Sequence, residues 1–327
     1  MTHLRVVLTG ILLSVIVLTA AVTETRQDSN TAADSDLQGP YVALGDSYTS
    51  GPRIPAQSGK PAGCDRSDHN YPTLLADQLK LTPGMFHDMS CSGATTADFT
   101  SPQSTDNGRN PAQLSALSRR TRLVTVGIGG NDIGFSSMLT RCLTMGTAYK
   151  IITRNKDVSV DAPCRERYVK DGTDSTQQRM TALGTELSDL MQEIRQRAPK
   201  AHIYIIGYPA ILPPGDTGCG RALPLAPGDI AYLREREDQL NKVLRQQAQT
   251  AGATYVDTET ESREHSACSA QDTRWIEPLI PRSPAAPIHP NARGQRGVAQ
   301  IILRAMKATN RHVEACAARR STYPTPR

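Results

Sequence analysis

Residues 41–48 read Tyr41-Val42-Ala43-Leu44-Gly45-Asp46-Ser47-Tyr48, a short apolar run that stops at a glycine and two small polar residues. The run has the length and composition of a buried strand, and Gly-Asp-Ser after it is a turn signal. Ser47 therefore sits at the carboxyl end of a strand, the edge at which open α/β sheets collect their ligands. Working outward, four more apolar runs predict strands near 85–90, 122–127, 202–207 and 253–257, with helical periodicity between them. That alternation predicts a parallel sheet covered by helices on both faces.

The clearest helix is predicted from about Thr176 to Ala198, with Met180, Leu183, Leu187, Leu190, Met191 and Ile194 on one face and Pro199 as its stop. A second runs from about Pro227 to Ala251, burying Ile230, Leu233, Leu240, Val243 and Leu244 behind a charged face at 234–238. A last helix is expected from about Ala292 to Ala308, and a short one near Phe135–Leu143. Long Gly- and Pro-rich loops at 51–70, 133–175, 208–227 and 258–290 each leave a strand end, and loops of that length in one domain usually serve function.

With 327 residues, 38% of them hydrophobic, the chain is long enough for one large core. A net charge of +5 without a long Lys/Arg run argues against a nucleic-acid groove, while leaving room for transient contact with an anionic lipid surface. Val6–Val22 is apolar and follows Arg5, which reads as a signal peptide over 1–22 cleaved near Ala21. An uncleaved membrane anchor is the alternative, because the stretch is close to the shortest length that spans a bilayer. Residues 23–38 read as a polar linker, 39–310 as one domain and 311–327 as a tail.

Three further segments give Ser47 a chemical context: Cys91-Ser92-Gly93-Ala94-Thr95-Thr96, Gly129-Gly130-Asn131-Asp132 and Ile288-His289-Pro290-Asn291. The first two follow predicted strands. In this order the four blocks resemble the Ser, Gly, Asn and His blocks of the GDSL, or SGNH, hydrolases, and the resemblance extends over about residues 39–310, with secreted actinobacterial lipases and esterases as the nearest group. It implies a flavodoxin-like three-layer α/β/α sandwich with a five-stranded parallel sheet. It also implies ester hydrolysis through an acyl-enzyme on Ser47 with His289 as base, an oxyanion hole made of the Ser47 and Gly93 backbone N–H groups and the Asn131 side chain, and no metal or other cofactor. The expected protein is a secreted monomer whose partner is an ester or lipid substrate.

Each residue type suits its role. A serine hydroxyl needs a neutral imidazole to take its proton as it attacks a carbonyl. Donors aimed at the charge that develops are each worth about 2.7 to 4 kcal/mol. A glycine at 93 lets the backbone come close to substrate. Many relatives carry an acid three residues before the histidine, but Ala286 stands there, and the Ala286 carbonyl is expected to orient His289 instead, with Asp272 and Glu277 as alternatives. Asp46 and Asp132 are expected to brace their loops.

Seven cysteines in an exported chain imply disulfides, whose connectivity sequence alone leaves open. The family resemblance implies Cys64–Cys91, Cys142–Cys164 and Cys219–Cys268, each contributing about 3 to 4 kcal/mol at most, and leaves Cys316 over. The apolar loop residues Ile54, Phe135, Met138, Leu139, Leu143, Met145, Ile211, Leu212, Leu223 and Leu225 suggest a pocket for acyl chains of medium to long length. Three alternatives stay open: a phospholipase, a carbohydrate acetylesterase, and a non-catalytic envelope-binding relative.

Overall fold

The computed structural model describes residues 39–153, 162–215 and 218–321, so the expected signal peptide and linker lie outside the described residues. Five strands form a parallel sheet: β1 (Tyr41–Gly45), β2 (Phe86–Asp88), β3 (Leu123–Gly127), β4 (His202–Ile206) and β5 (Thr254–Val256). Their spatial order is β2-β1-β3-β4-β5, the flavodoxin-like order. Register is set at the centre, where Tyr41 pairs with Leu123 and Gly45 with Gly127, so β1 and β3 end level with one another. The two strands run parallel, but successive strands are added on one side of β1 for β2 and on the other for β3 to β5, and at that switch point the Ser47 and Asn131 blocks leave the sheet.

The five longer helices are α1 (Tyr71–Gln78), α2 (Phe135–Ile152), α3 (Ser175–Arg197), α4 (Pro227–Thr250) and α5 (Ala292–Ser321). Because strand side chains alternate between faces, Val42, Leu44, Val124 and Val126 pack with α2, α3 and α4. Tyr41, Ala43, Leu123 and Tyr204 pack with α1 and α5 on the other face. Leu183, Leu187 and Ile194 are fully buried, each stabilising the layer by roughly 1.5–3 kcal/mol. The Asp174 side chain caps α3 through the Thr176 and Gln177 N–H groups.

Three helices depart from the sequence reading. α2 is twice the expected length, so half of the 133–175 loop is helical. Its buried Phe135, Met138, Leu139, Cys142, Leu143 and Gly146 follow helical spacing, while the hydroxyls of Thr140, Thr144 and Thr147 bond back to carbonyls four residues earlier. Threonine-rich composition disguised that helix, because these side chains lower intrinsic propensity. α5 continues past Ala308 to Ser321, and the side chain of Cys316 lies outside those described. α1 was not anticipated, although Asn70 as its cap and Pro72 in its first turn were readable signals. Among the described residues no helix is long and apolar enough to cross a membrane.

Candidate active site

Ser47 opens a one-turn helix directly after β1, with Asp46 as its N-cap accepting the Tyr48 N–H at 2.9 Å. The turn is tight enough that a Cβ on Gly45 would collide with Thr49 Oγ1 and lie 2.6 Å from the Gly127 carbonyl. Gln113 grips the same glycine at both ends, accepting its N–H at 2.8 Å and donating to its carbonyl at 2.9 Å. Asp46 also accepts the Tyr208 hydroxyl, which in turn accepts the Gly130 N–H at 2.9 Å. Tyr208 thereby ties the serine turn to the asparagine turn. Burial pushes Asp46 up to about 7 in spite of those two bonds.

The turns after β2 and β3 are joined in the same way. Asn131 donates one side-chain N–H to the Ala94 carbonyl at 2.9 Å, and Asp132 accepts the Thr96 N–H at 2.8 Å and its hydroxyl at 2.6 Å. Gly93 lies next to Ala94 with φ +79°, a conformation that favours glycine, and a Cβ there would meet only Gln103 Nε2, at an unstrained 3.9 Å. Backbone conformation, more than crowding, explains the residue. Among the described residues neither the Gly93 nor the Ser47 backbone N–H has an internal acceptor. Asn131 and Ser47 line one cleft, which Gly93 does not.

His289 arrives from the opposite side, on the irregular segment before α5. Its Nε2 lies 2.8 Å from Ser47 Oγ, and its Nδ1 lies 2.7 Å from the Pro287 carbonyl. The expected contact with the Ala286 carbonyl is corrected by one residue. Ala286 O instead accepts the His289 backbone N–H at 3.3 Å, closing a turn with proline second and Ile288 third at φ +59°. Those are the marks of a type II turn, and they leave the Pro287 carbonyl for the ring. The Ala286 N–H is held by the Pro52 carbonyl at 3.0 Å.

Neither carboxylate considered as a substitute is bonded to the imidazole. Asp272 is exposed. Glu277 is buried and accepts from Asn291 Nδ2 at 2.7 Å and from the Arg282 and Ser283 N–H groups at 2.7 and 3.1 Å, which folds the loop behind the histidine. Burial opposes the charge on Glu277, but these donors outweigh it and hold the carboxyl below its ordinary range. Tyr48 finishes the support: its hydroxyl donates to the Ile288 carbonyl at 2.7 Å and its ring lies 5.0 Å from that of His289. Desolvation, aided by the nearby Arg53 charge, holds His289 below the ordinary imidazole value against the opposing Pro287 bond. That shift favours the neutral imidazole.

Sequence reading missed Tyr48, Tyr208, Gln113 and the Pro287 carbonyl. Tyr48 stands beside the motif serine and Tyr208 two residues after β4, but nothing in a sequence shows what their hydroxyls reach. The cysteines pair as Cys64–Cys91, Cys142–Cys164 and Cys219–Cys268, with Cα separations of 4.1, 5.0 and 5.0 Å.

The cleft at Ser47 is lined by Tyr48, Phe135, Tyr208, Ile211, Glu237 and Leu240 among others, and only about 20 Å³ of it admits the centre of a water molecule. Of the ten apolar loop residues expected to form a large pocket, only Phe135 and Ile211 reach it. Met138, Leu139 and Leu143 are spent on the core because α2 is a packed helix and not a loop, and Leu212, Leu223 and Leu225, between β4 and α4, are buried in the same cluster.

Residues 43–296 match the model of the GDSL-like lipase/acylhydrolase family. The chain is 40% identical to Lipase 2 of Streptomyces coelicolor over 80% of its own length and 83% of that protein. Among solved structures it is similar to an extracellular lipase from Streptomyces rimosus, with 27% identity and a TM-score of 0.65, covering 82% of this chain and 99% of that one. A phospholipase A1 from Streptomyces albidoflavus is similar at 26% identity and the same TM-score and coverage.

Proposed function

The chain belongs to the GDSL-like lipase/acylhydrolase family and is a carboxylic ester hydrolase, and we propose that it acts through an acyl-enzyme on Ser47 with His289 as its base. The observation that carries this reading is the 2.8 Å contact between Ser47 Oγ and His289 Nε2 beside the cleft. With Nδ1–H donating to Pro287, the tautomer leaves Nε2 free to accept the serine proton. Ser47 Oγ bonds to the ester carbonyl carbon as its proton passes to Nε2. The oxyanion is received by the Ser47 and Gly93 N–H groups and the second N–H of Asn131. His289 then returns the proton to the departing alkoxide, and a water activated by the same nitrogen releases the acid.

Among the described residues no carboxylate is bonded to the ring that becomes imidazolium on the way. The Pro287 carbonyl dipole and the tilted ring of Tyr48, at 5.0 Å, support it in place of a full charge. The acyl group points into the narrow cleft at Phe135, Ile211 and Leu240, whose walls there are apolar. Relatives called lipases support this substrate class. The apolar stretch Val6–Val22, the three cysteine pairs and the extracellular relative support export.

A fluorophosphonate probe tests the nucleophile. The wild-type chain should be labelled on Ser47 and should then lose activity on straight-chain esters, while Ser47→Ala should take no label. Labelling elsewhere, or full activity in Ser47→Ala, would refute the assignment. Phospholipid and acetylated glycan in the same assay separate lipase from phospholipase and acetylesterase.

A further inference from the structure

A buried acid lines the cleft beside Ser47. Glu237, on α4, is 4% exposed and lines the cleft together with Ile211 and Leu240. It also lines a second cavity, walled by Leu212, Pro213, Asp238, Glu259 and Arg263, in which about 210 Å³ admits a water centre. Glu237 is the one described residue common to both.

The partition is fixed from both sides. Glu237 Oε1 accepts the Ile211 N–H at 2.7 Å, and the carboxyl also takes the Leu212 N–H. The Ile211 carbonyl accepts from the Ala267 N–H at 3.0 Å, and the Ala210 N–H donates to Ser262 Oγ at 2.8 Å. The segment 210–212 is thus a wall stitched to α4 and to the loop after β5. An aliphatic residue at 237 would extend the apolar lining but leave two buried N–H groups without acceptors, which is costly. Burial pushes the carboxyl up to about 8, as expected of an acid kept beside an apolar cleft.

We propose that Glu237 sets the acyl-length limit of this enzyme, closing the far end of the cleft and keeping it separate from the second cavity. The inference rests on the reading of Ser47 as nucleophile. An acyl chain gains with each methylene until it meets the carboxyl and the backbone bolted to it. Cutting the side chain back joins the two spaces and gives the chain somewhere to continue.

The test is kcat/KM across a straight-chain ester series for the wild type, Glu237→Gln, Glu237→Ala and Ile211→Ala, each normalised to active sites titrated with a fluorophosphonate. Wild-type efficiency should rise roughly fourfold per methylene, the value of burying one CH₂, and then fall at a cut-off. Glu237→Gln, nearly the same size, should keep that cut-off, and Glu237→Ala should move it outward by at least two carbons. If Glu237→Ala does not fold, Ile211→Ala opens the partition from the loop side and should also move it. A cut-off unchanged in the variants that fold, with efficiency lowered by one constant factor, would overturn the proposal. Ser47→Ala in the same series keeps the two readings distinct: activity there would sink the nucleophile assignment, whereas silence there with an unmoved cut-off would sink only the role of Glu237.

Discussion

The two halves of the site are held by different means. Ser47, Gly93 and Asn131 leave three adjacent strands whose ends are fixed by sheet register, and Gln113, Tyr208, Asp132 and Ala94 cross-link their turns. His289 hangs on an irregular loop fastened by Tyr48, Glu277 and the turn at Pro287, with a left-handed isoleucine beside it. The Ser47 side inherits its precision from regular structure. The His289 side has to assemble its own, from side chains far apart in sequence, and its Nδ1 meets a neutral carbonyl and not an acid. Damage on the strand side should therefore appear in chemistry, and damage on the loop side in stability and in the pH profile.

The largest effects test whether the halves act as one unit. Ser47→Ala and His289→Ala should each lower kcat by on the order of 10⁴ to 10⁶, with the double variant scarcely worse, in initial rates on proteins whose circular dichroism is unchanged. Losses that multiply would mean that the two residues work independently. Next, Asn131→Ala should cost about 10² to 10³ in kcat with little change in KM, since its donor acts on charge present only in the transition state. An effect confined to KM would remove it from the oxyanion site.

On the loop side, Glu277→Gln should lower stability by about 2 kcal/mol in denaturant unfolding, because its amide NH2 must face either the Arg282 and Ser283 N–H groups, which share one carboxylate oxygen, or Asn291 Nδ2. Activity should fall only as far as the loop loosens. Asp272→Asn and Ala286→Ser should be silent, the first for want of any contact with His289 and the second because the backbone contact there survives the change. A loss near 10⁴-fold in Asp272→Asn would reveal a hidden carboxylate.

The smallest effects concern the base itself. A folded-state imidazole pKa held below 6.5 means that kcat/KM should rise with pH through an apparent pKa below that value, the base being active when deprotonated. Arg53→Gln removes a nearby positive charge and should move this limb upward. Tyr48→Phe loses the bond to Ile288 and should cost a few-fold in kcat, about 1 kcal/mol. A limb that ignores Arg53 would place the titrating group elsewhere.

Much of the protein could be read in the chain. Apolar runs ending in Gly-Asp-Ser, Ser-Gly and Gly-Asn-Asp located β1, β2 and β3 and the residues leaving them, because strand alternation and turn chemistry are local properties that a few residues express. α3 and α4 were equally legible, since their buried faces recur at helical spacing within one segment. What sequence by itself did not determine was anything settled by contacts between distant segments. α2 grew to eighteen residues because a core was waiting for its apolar face. The histidine found the Pro287 carbonyl and not that of Ala286 because a turn had already engaged the latter. Tyr48, Tyr208 and Glu237 acquired their roles from partners 240, 162 and 26 residues away. Local propensity fixes where the chain may turn, while only packing decides which polar groups meet, because a buried donor must find whichever acceptor the completed fold brings to it.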